Sequence, residues 1–178
     1  APATGCLARL TPLPPAGAVL PMLVPRDEEA IHRGIGLGTA IITFLAYLFI
    51  LGDFDASQAG FQLQVDKAWI EPLGIRFHLG VDGMSVLLIV LTTFLTPLCI
   101  LAAWTDITEH SKEFVICLLL LEGPIIGVFC PLDMILFYIF WAAVLFPLYL
   151  LLEGWWGPPR RYASIQSLLY PIAGTVLA

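Results

Sequence analysis

The chain has 178 residues, of which 59% are hydrophobic and only 12% charged, and its mean hydropathy is +0.91; an ordinary soluble domain carries about twice that charge. Composition alone makes it an integral membrane protein. Its net charge of -6, with eight Lys and Arg scattered through the connections and gathered in no stripe, excludes a nucleic-acid partner.

A hydrocarbon core about 30 Å thick demands about 20 apolar residues of a helix. On that measure the chain holds five spans and a truncated sixth. The first, "LTPLPPAGAVLPMLVP" at 10–25, is short and carries five prolines, so an irregular helix is expected there. The second runs over 34–52. Its opening "GIGLG" has no strand before it, which excludes a phosphate-binding loop, and the glycines suit close helix packing.

The segment 53–83 follows as an outer loop. "FQLQV" at 61–65 and "IRFHL" at 75–79 both alternate apolar with polar residues, which predicts the two strands of a hairpin. Its apolar face, Ile75, Phe77 and Leu79, is expected to lie on the spans or on a neighbouring subunit.

The third span, 84–104, contains Pro97 and ends on Trp104, placed as an interfacial aromatic. Residues 114–152 are nearly all apolar and long enough for two helices. "CPLD" divides them, since Pro131 cannot continue a helix and Asp133 suits the cap of a new one, giving spans at 114–130 and 134–152. A sixth begins near Ser164, and the sequence ends inside it, which predicts that another chain completes it. Arg26, Arg33, Lys112, Arg160 and Arg161 fall on one side of the spans and Arg9, Lys67 and Arg76 on the other, favouring an outside amino terminus.

Cys6, Cys99, Cys117 and Cys130 form no C-x-x-C pair and read as small buried hydrophobes. His32, His78 and His110 fall in separate polar connections, so neither haem nor zinc is expected, and no cofactor. Ionisable groups inside spans carry functional hypotheses, because an unpaired charge in lipid is costly. Glu122, in "LLLLEGPIIGVF", sits mid-span, and Pro124 leaves a carbonyl free nearby. Two readings stand level: a carboxyl that takes up and releases protons, or a protonated acid linking helices by hydrogen bonds. Asp133 reads as a helix cap and Glu153, beside Trp155 and Trp156, as an interfacial acid.

"WIEPLGIRFHLGVDGMS", "LLIVLTTFLTPLCILAAW", "LEGPIIGVFCPLDMILFYIF", "LFP" and "GPPRRYASIQSLLYPIAGTVL" together resemble the antiporter-like subunit M of respiratory complex I, the mitochondrial NADH dehydrogenase subunit 4. The resemblance covers residue 10 to the end. It implies an all-α membrane fold, here about five to six transmembrane helices with the outer hairpin between the second and third, as a single domain over 1–178 and the amino-terminal part of a fourteen-helix subunit. It also implies proton translocation driven by electron transfer from NADH to quinone in other subunits. Glu122 matches the family's fourth-helix acid by position. The family's fifth helix reads like "LFYVFFEGSLIP", with a glutamate that pairs with a lysine on a later helix; "LFYIFWAAVLFP" here puts Ala142 in the acid's place.

The resemblance thus implies a non-catalytic subunit of NADH:ubiquinone oxidoreductase, whose partners are the bilayer, the other membrane-arm subunits and a chain carrying the remaining helices of a split subunit M. Because Ala142 cannot bind a proton, the main work expected of this piece is structural. A vestigial scaffold subunit and an independent cation or proton antiporter are the alternatives. The absent initiator Met and the early stop favour the mitochondrial inner membrane over the bacterial plasma membrane.

Overall fold

The computed structural model describes residues 11–25, 28–55, 57, 60–155 and 160–177. Cys6, Arg9, Leu10, Arg26, Trp156 and Ala178, named above, lie outside the described residues, as do the side chains of Arg160 and Arg161. The described chain runs α1 (Leu13–Leu23), α2 (Glu29–Asp53), β1 (Gln62–Ile70), a 3-10 turn (Glu71–Leu73), β2 (Ile75–Val81), α3 (Gly83–Asp106), α4 (Ser111–Phe129), α5 (Met134–Trp155) and α6 (Arg160–Leu177).

All six expected helices are present. By length and apolar composition, three of them suffice to cross a membrane: α2 over Glu29–Gly52, α3 and α5. The other three differ for plain reasons. At 11 residues α1 is roughly 16 Å long by the 1.5 Å rise, about half a hydrocarbon core. Helix α4 is 19 residues long but carries Lys112, Glu113 and Glu122, and α6 opens on two arginines.

The irregularity expected of α1 is not found, because its prolines occupy permitted places. Pro12 is the N-cap residue and Pro14 and Pro15 fall in the first turn, where an N–H has no partner inside the helix; Pro25 lies beyond the end. Pro21 alone is interior.

The hairpin exists, with longer strands than the alternation outlined. β1 continues through Asp66, Lys67 and Ala68, which pair with His78, Phe77 and Arg76, and the Asp66–Arg76 ion pair spans 2.8 Å. Leu63 takes a left-handed φ of 54° where the register slips between Gln62 and Val65. A Glu71–Leu73 turn closed by Gly74, at φ 67°, joins the strands. Ile75 and Leu79 are buried, and Phe77 packs against the core beneath them.

Helix α4 is the hub, packing on α1, α2, α3 and α5, while α6 packs on α5. Lipid is as apolar as leucine, so contacts of this kind rest on close packing, which small residues permit. A Cβ on Gly36 would collide with Val115, one on Gly123 with Pro15 and one on Gly127 with Phe140. Of the "GIGLG" glycines only Gly36 serves packing; Gly34 and Gly38 have nothing within 4 Å.

Two buried clusters fill the bundle. At the hairpin end Val65, Leu79 and Val81 join Tyr47, Ile50, Ile89, Ile126 and Leu136. At the other end Ala18, Ala40, Ile100, Val115 and Leu119 pack beside Trp104. The loop between α4 and α5 adds a third strip to the hairpin: Gly80 N–H donates to the Cys130 carbonyl and Leu132 N–H to the His78 carbonyl, both at 2.9 Å.

Candidate functional site

Glu122 lies past the midpoint of the hub helix and is 1% exposed. The sequence places it there through four preceding leucines, strong helix formers that carry α4 deep into the bundle before the carboxyl appears. On one side α1 closes over it: Gly123 lies so near Pro15 that a Cβ there would come within 2.6 Å of Pro15 Cδ. On another, α3 packs against α4. On α3 the Thr96 hydroxyl donates to the Thr92 carbonyl at 3.2 Å, and among the described residues neither Glu122 oxygen has a hydrogen-bond partner. Among the described residues Glu122 makes no ion pair.

The helices around this carboxyl are locally weakened. Pro124, two residues on, has no N–H for the Leu120 carbonyl, and the buried Pro97 has none for Thr93. Thr93 is itself fully buried and turns its hydroxyl to the Val90 carbonyl at 3.0 Å. Such a setting places carbonyls without helical partners in the same bundle as a buried carboxyl.

Ala142 does not share this interior. It is exposed on α5 and lines a groove of about 450 Å³ between α5 and α6 with Tyr138, Trp141, Leu145, Ile172, Thr175 and Val176. Glu122 is not among the residues lining that groove. The two site residues picked out from the sequence therefore face different places, one inside the bundle and one on its flank.

Asp133 caps α5 as expected, accepting from the N–H groups of Ile135 at 2.9 Å and Leu136 at 3.3 Å. Glu153 is half-buried near the end of α5. Of the described cysteines, Cys117 and Cys130 are buried, and Cys99 is exposed on α3, contrary to expectation, because no described residue covers it there. His32 departs from its expected place in a polar connection. It belongs to the first turn of α2, fully buried, with Nε2 2.8 Å from the Pro25 carbonyl.

The cations opposite the hairpin have a role that residue type alone did not disclose. Arg33 donates to the Trp104 and Ile107 carbonyls at the end of α3, and Lys112 to the Met22 and Val24 carbonyls at the end of α1. Each satisfies carbonyls that a helix end leaves without partners, where the helix dipole also favours positive charge. Asp82 does the converse at the start of α3, accepting from Ser85 N–H at 2.7 Å. That bond holds its carboxyl below the ordinary 3.8.

Residues 66–126 match the family described as NADH-ubiquinone oxidoreductase chain 4, amino terminus. Over 171 residues the chain is 38% identical to the NADH-ubiquinone oxidoreductase chain 4 of Arabidopsis thaliana, covering 96% of this chain and 34% of that protein. Over 175 residues it is 41% identical to the NADH-quinone oxidoreductase subunit M of Rhodobacter capsulatus, covering 96% of this chain and 34% of the other. The fold superposes with a TM-score of 0.78 and 25% identity on a chain of respiratory complex I from Thermus thermophilus with bound NADH, covering 94% of this chain and 33% of that one. The chain thus spans about a third of the length of the curated relatives it matches.

Proposed function

The chain belongs to the family of NADH-ubiquinone oxidoreductase chain 4 and its bacterial counterpart subunit M, matching their amino-terminal part, and from that premise we propose that it is a membrane-arm component of a proton-pumping NADH:quinone oxidoreductase whose main work is structural. The observation that carries the structural reading is Ala142. By the resemblance read from the sequence it stands where the family has its fifth-helix acid, and it lies in an apolar groove on the flank of α5. An alanine methyl binds no proton, so this piece does not complete an acid–lysine pair of the kind the family implies.

Glu122 is the retained acid. Buried on the hub helix and free of any ion pair among the described residues, it has the placement of a carboxyl that takes up and gives up a proton. Electron transfer from NADH to quinone belongs to other subunits, and this chain contributes the packed interior around Glu122 and the surfaces that hold its neighbours.

Those neighbours are the other membrane-arm subunits and a second polypeptide carrying the remaining helices of subunit M. The apolar span of α5, of which only 17% is buried within the chain, supports this partnership. So does the groove between α5 and α6, both of whose walls are apolar. The membrane is the mitochondrial inner membrane or a bacterial plasma membrane, since the relatives named above come from a plant and from bacteria.

The test is isolation from native membranes in mild detergent, with native-gel separation and peptide sequencing of the band. This chain should migrate with other membrane-arm subunits in a band that oxidises NADH with a quinone, alongside a separate polypeptide matching the later two-thirds of subunit M. A stable, monodisperse monomer with no such partners would refute the assignment. A single polypeptide continuing past residue 178 would refute the split alone.

A further inference from the structure

The end of α1 is tied by two side chains from two different helices. Lys112 of α4 donates to the Met22 carbonyl at 3.2 Å and to the Val24 carbonyl at 2.6 Å, and His32 of α2 reaches the Pro25 carbonyl through Nε2 at 2.8 Å. A carbonyl only accepts, so Nε2 carries the imidazole proton and Nδ1 does not. The ring is fully buried, and Nδ1 has no hydrogen-bond partner among the described residues. The bond to Pro25 is therefore the polar contact that offsets its burial. The helix these two residues hold is weak by itself. It has 11 residues, and isolated helices shorter than about 12–15 are marginal in water; Pro21 also leaves the Gly17 carbonyl without a donor inside it. Val19, Leu20, Met22 and Leu23 are exposed, so packing holds α1 on one face: Pro15 against Gly123 of α4, Gly17 against Thr39 of α2, and Ala18 in the cluster with Val115 and Leu119.

We propose that α1 is a cover on the hub helix, latched at its end by His32 and Lys112 together, and that it lifts from α4 as one unit while α2 to α5 stay packed. Both latches take carbonyls of one short stretch, 22–25, so releasing either loosens the same end. Releasing both leaves α1 held by its packed face alone. The other helices do not share this dependence, because α2, α3 and α5 each pack on α4, and Arg33, next to His32, ties α2 to the end of α3 instead. Segments with few buried contacts open ahead of the rest of a fold. Lifting α1 bares the face of α4 at Gly123, the residue after Glu122. The cover stands whether or not Glu122 exchanges protons.

The experiment is hydrogen–deuterium exchange of the assembled complex in mild detergent, read by mass spectrometry on peptides from α1, the hairpin, α4 and α5. In the unaltered protein the amides of α1 should exchange together and ahead of those of α4 and α5. His32→Leu and Lys112→Met should each speed exchange across α1 about tenfold, as the loss of a hydrogen bond to a buried partner does. The double variant should speed it further, with the hairpin and α5 unchanged. His32→Gln and Lys112→Arg, which keep a donor, should stay near the unaltered rate, and Arg33→Met, which removes the neighbouring cation from α3, should leave α1 unmoved. Unchanged α1 exchange in the double variant, or a rise spread equally over the hairpin and α5, overturns the proposal. Should the variants not assemble, the unaltered complex decides: α1 amides that exchange no sooner than those of α4 overturn it.

Discussion

Arg33 on α2 reaches across to Trp104 on α3, donating to its backbone carbonyl while the guanidinium lies 5.8 Å from the centre of its indole ring. A second nitrogen of the same guanidinium donates to the Ile107 carbonyl at 2.7 Å. One side chain, only 13% exposed, thereby closes the end of one helix from the start of another. Arg33→Ala should leave both carbonyls without a partner, at a cost of about 1–3 kcal/mol each for whichever water cannot reach. Arg33→Lys should recover part of the loss, since a single ammonium lacks the planar fork. Thermal inactivation of the detergent-solubilised complex measures both; equal stability of all three proteins would contradict the capping role.

Gly123 tests the closure of α1 over the carboxyl. Because a Cβ there meets Pro15, Gly123→Ala should push α1 away and destabilise the assembly by about 1–3 kcal/mol, as overpacking does. Gly38→Ala, with nothing within 4 Å, should be neutral or slightly stabilising, since alanine is the better helix former. Complex abundance on native gels separates the two, and equal abundance would show that α1 does not close tightly there.

The hairpin was legible from the two-residue alternation of "FQLQV" and "IRFHL", and each helix from its apolar length, because both signals are local. What was not legible depends on residues far apart in the chain. Nothing in "CPL" announces that its backbone will pair with β2, and Arg33 and Lys112 counted only as charges favouring one side until the helix ends they cap were in place. Glu122 stood out because an acid among leucines is anomalous in any fold. Asp82 had a visible signal, an acid directly before "GMSV", but it was absorbed into the family motif and not read as a cap.

That cap gives a prediction with a pH sign. The folded carboxyl of Asp82 is held below 3.8 by Ser85 N–H, so the stability it adds is present above pH 3.8 and is lost as pH falls through the lower folded value. Asp82→Ala should cost about 1 kcal/mol at neutral pH, whereas Asp82→Asn, which keeps an accepting oxygen, should cost less. Melting curves at neutral and strongly acid pH are the check, and a difference between Asp and Ala that survives undiminished in acid would count against it.

Glu122 should also be the preferred target of a hydrophobic carbodiimide, a reagent that enters from lipid and modifies protonated carboxyls. Asp66 is ion-paired with Arg76, and Glu113 lies in a helix's first turn at the bundle end, each with a side chain 36% exposed. Peptide mapping of the labelled complex should find the adduct on Glu122, with the label lost in Glu122→Gln. Equal labelling of all three acids would mean that Glu122 is hydrated like the others.

The structural reading of this chain stands or falls on Ala142. Restoring an acid there would place a carboxylate among Tyr138, Trp141, Leu145, Ile172 and Val176, at a cost of a few kcal/mol unless a partner supplies a lysine. Proton-to-electron stoichiometry and complex abundance should be measured together in membranes carrying Ala142→Glu. The account predicts no gain in protons pumped per electron and a lower amount of assembled complex. A normal amount of complex with an increased stoichiometry would contradict it, by showing that the partner helices hold a working proton path that lacked only this acid.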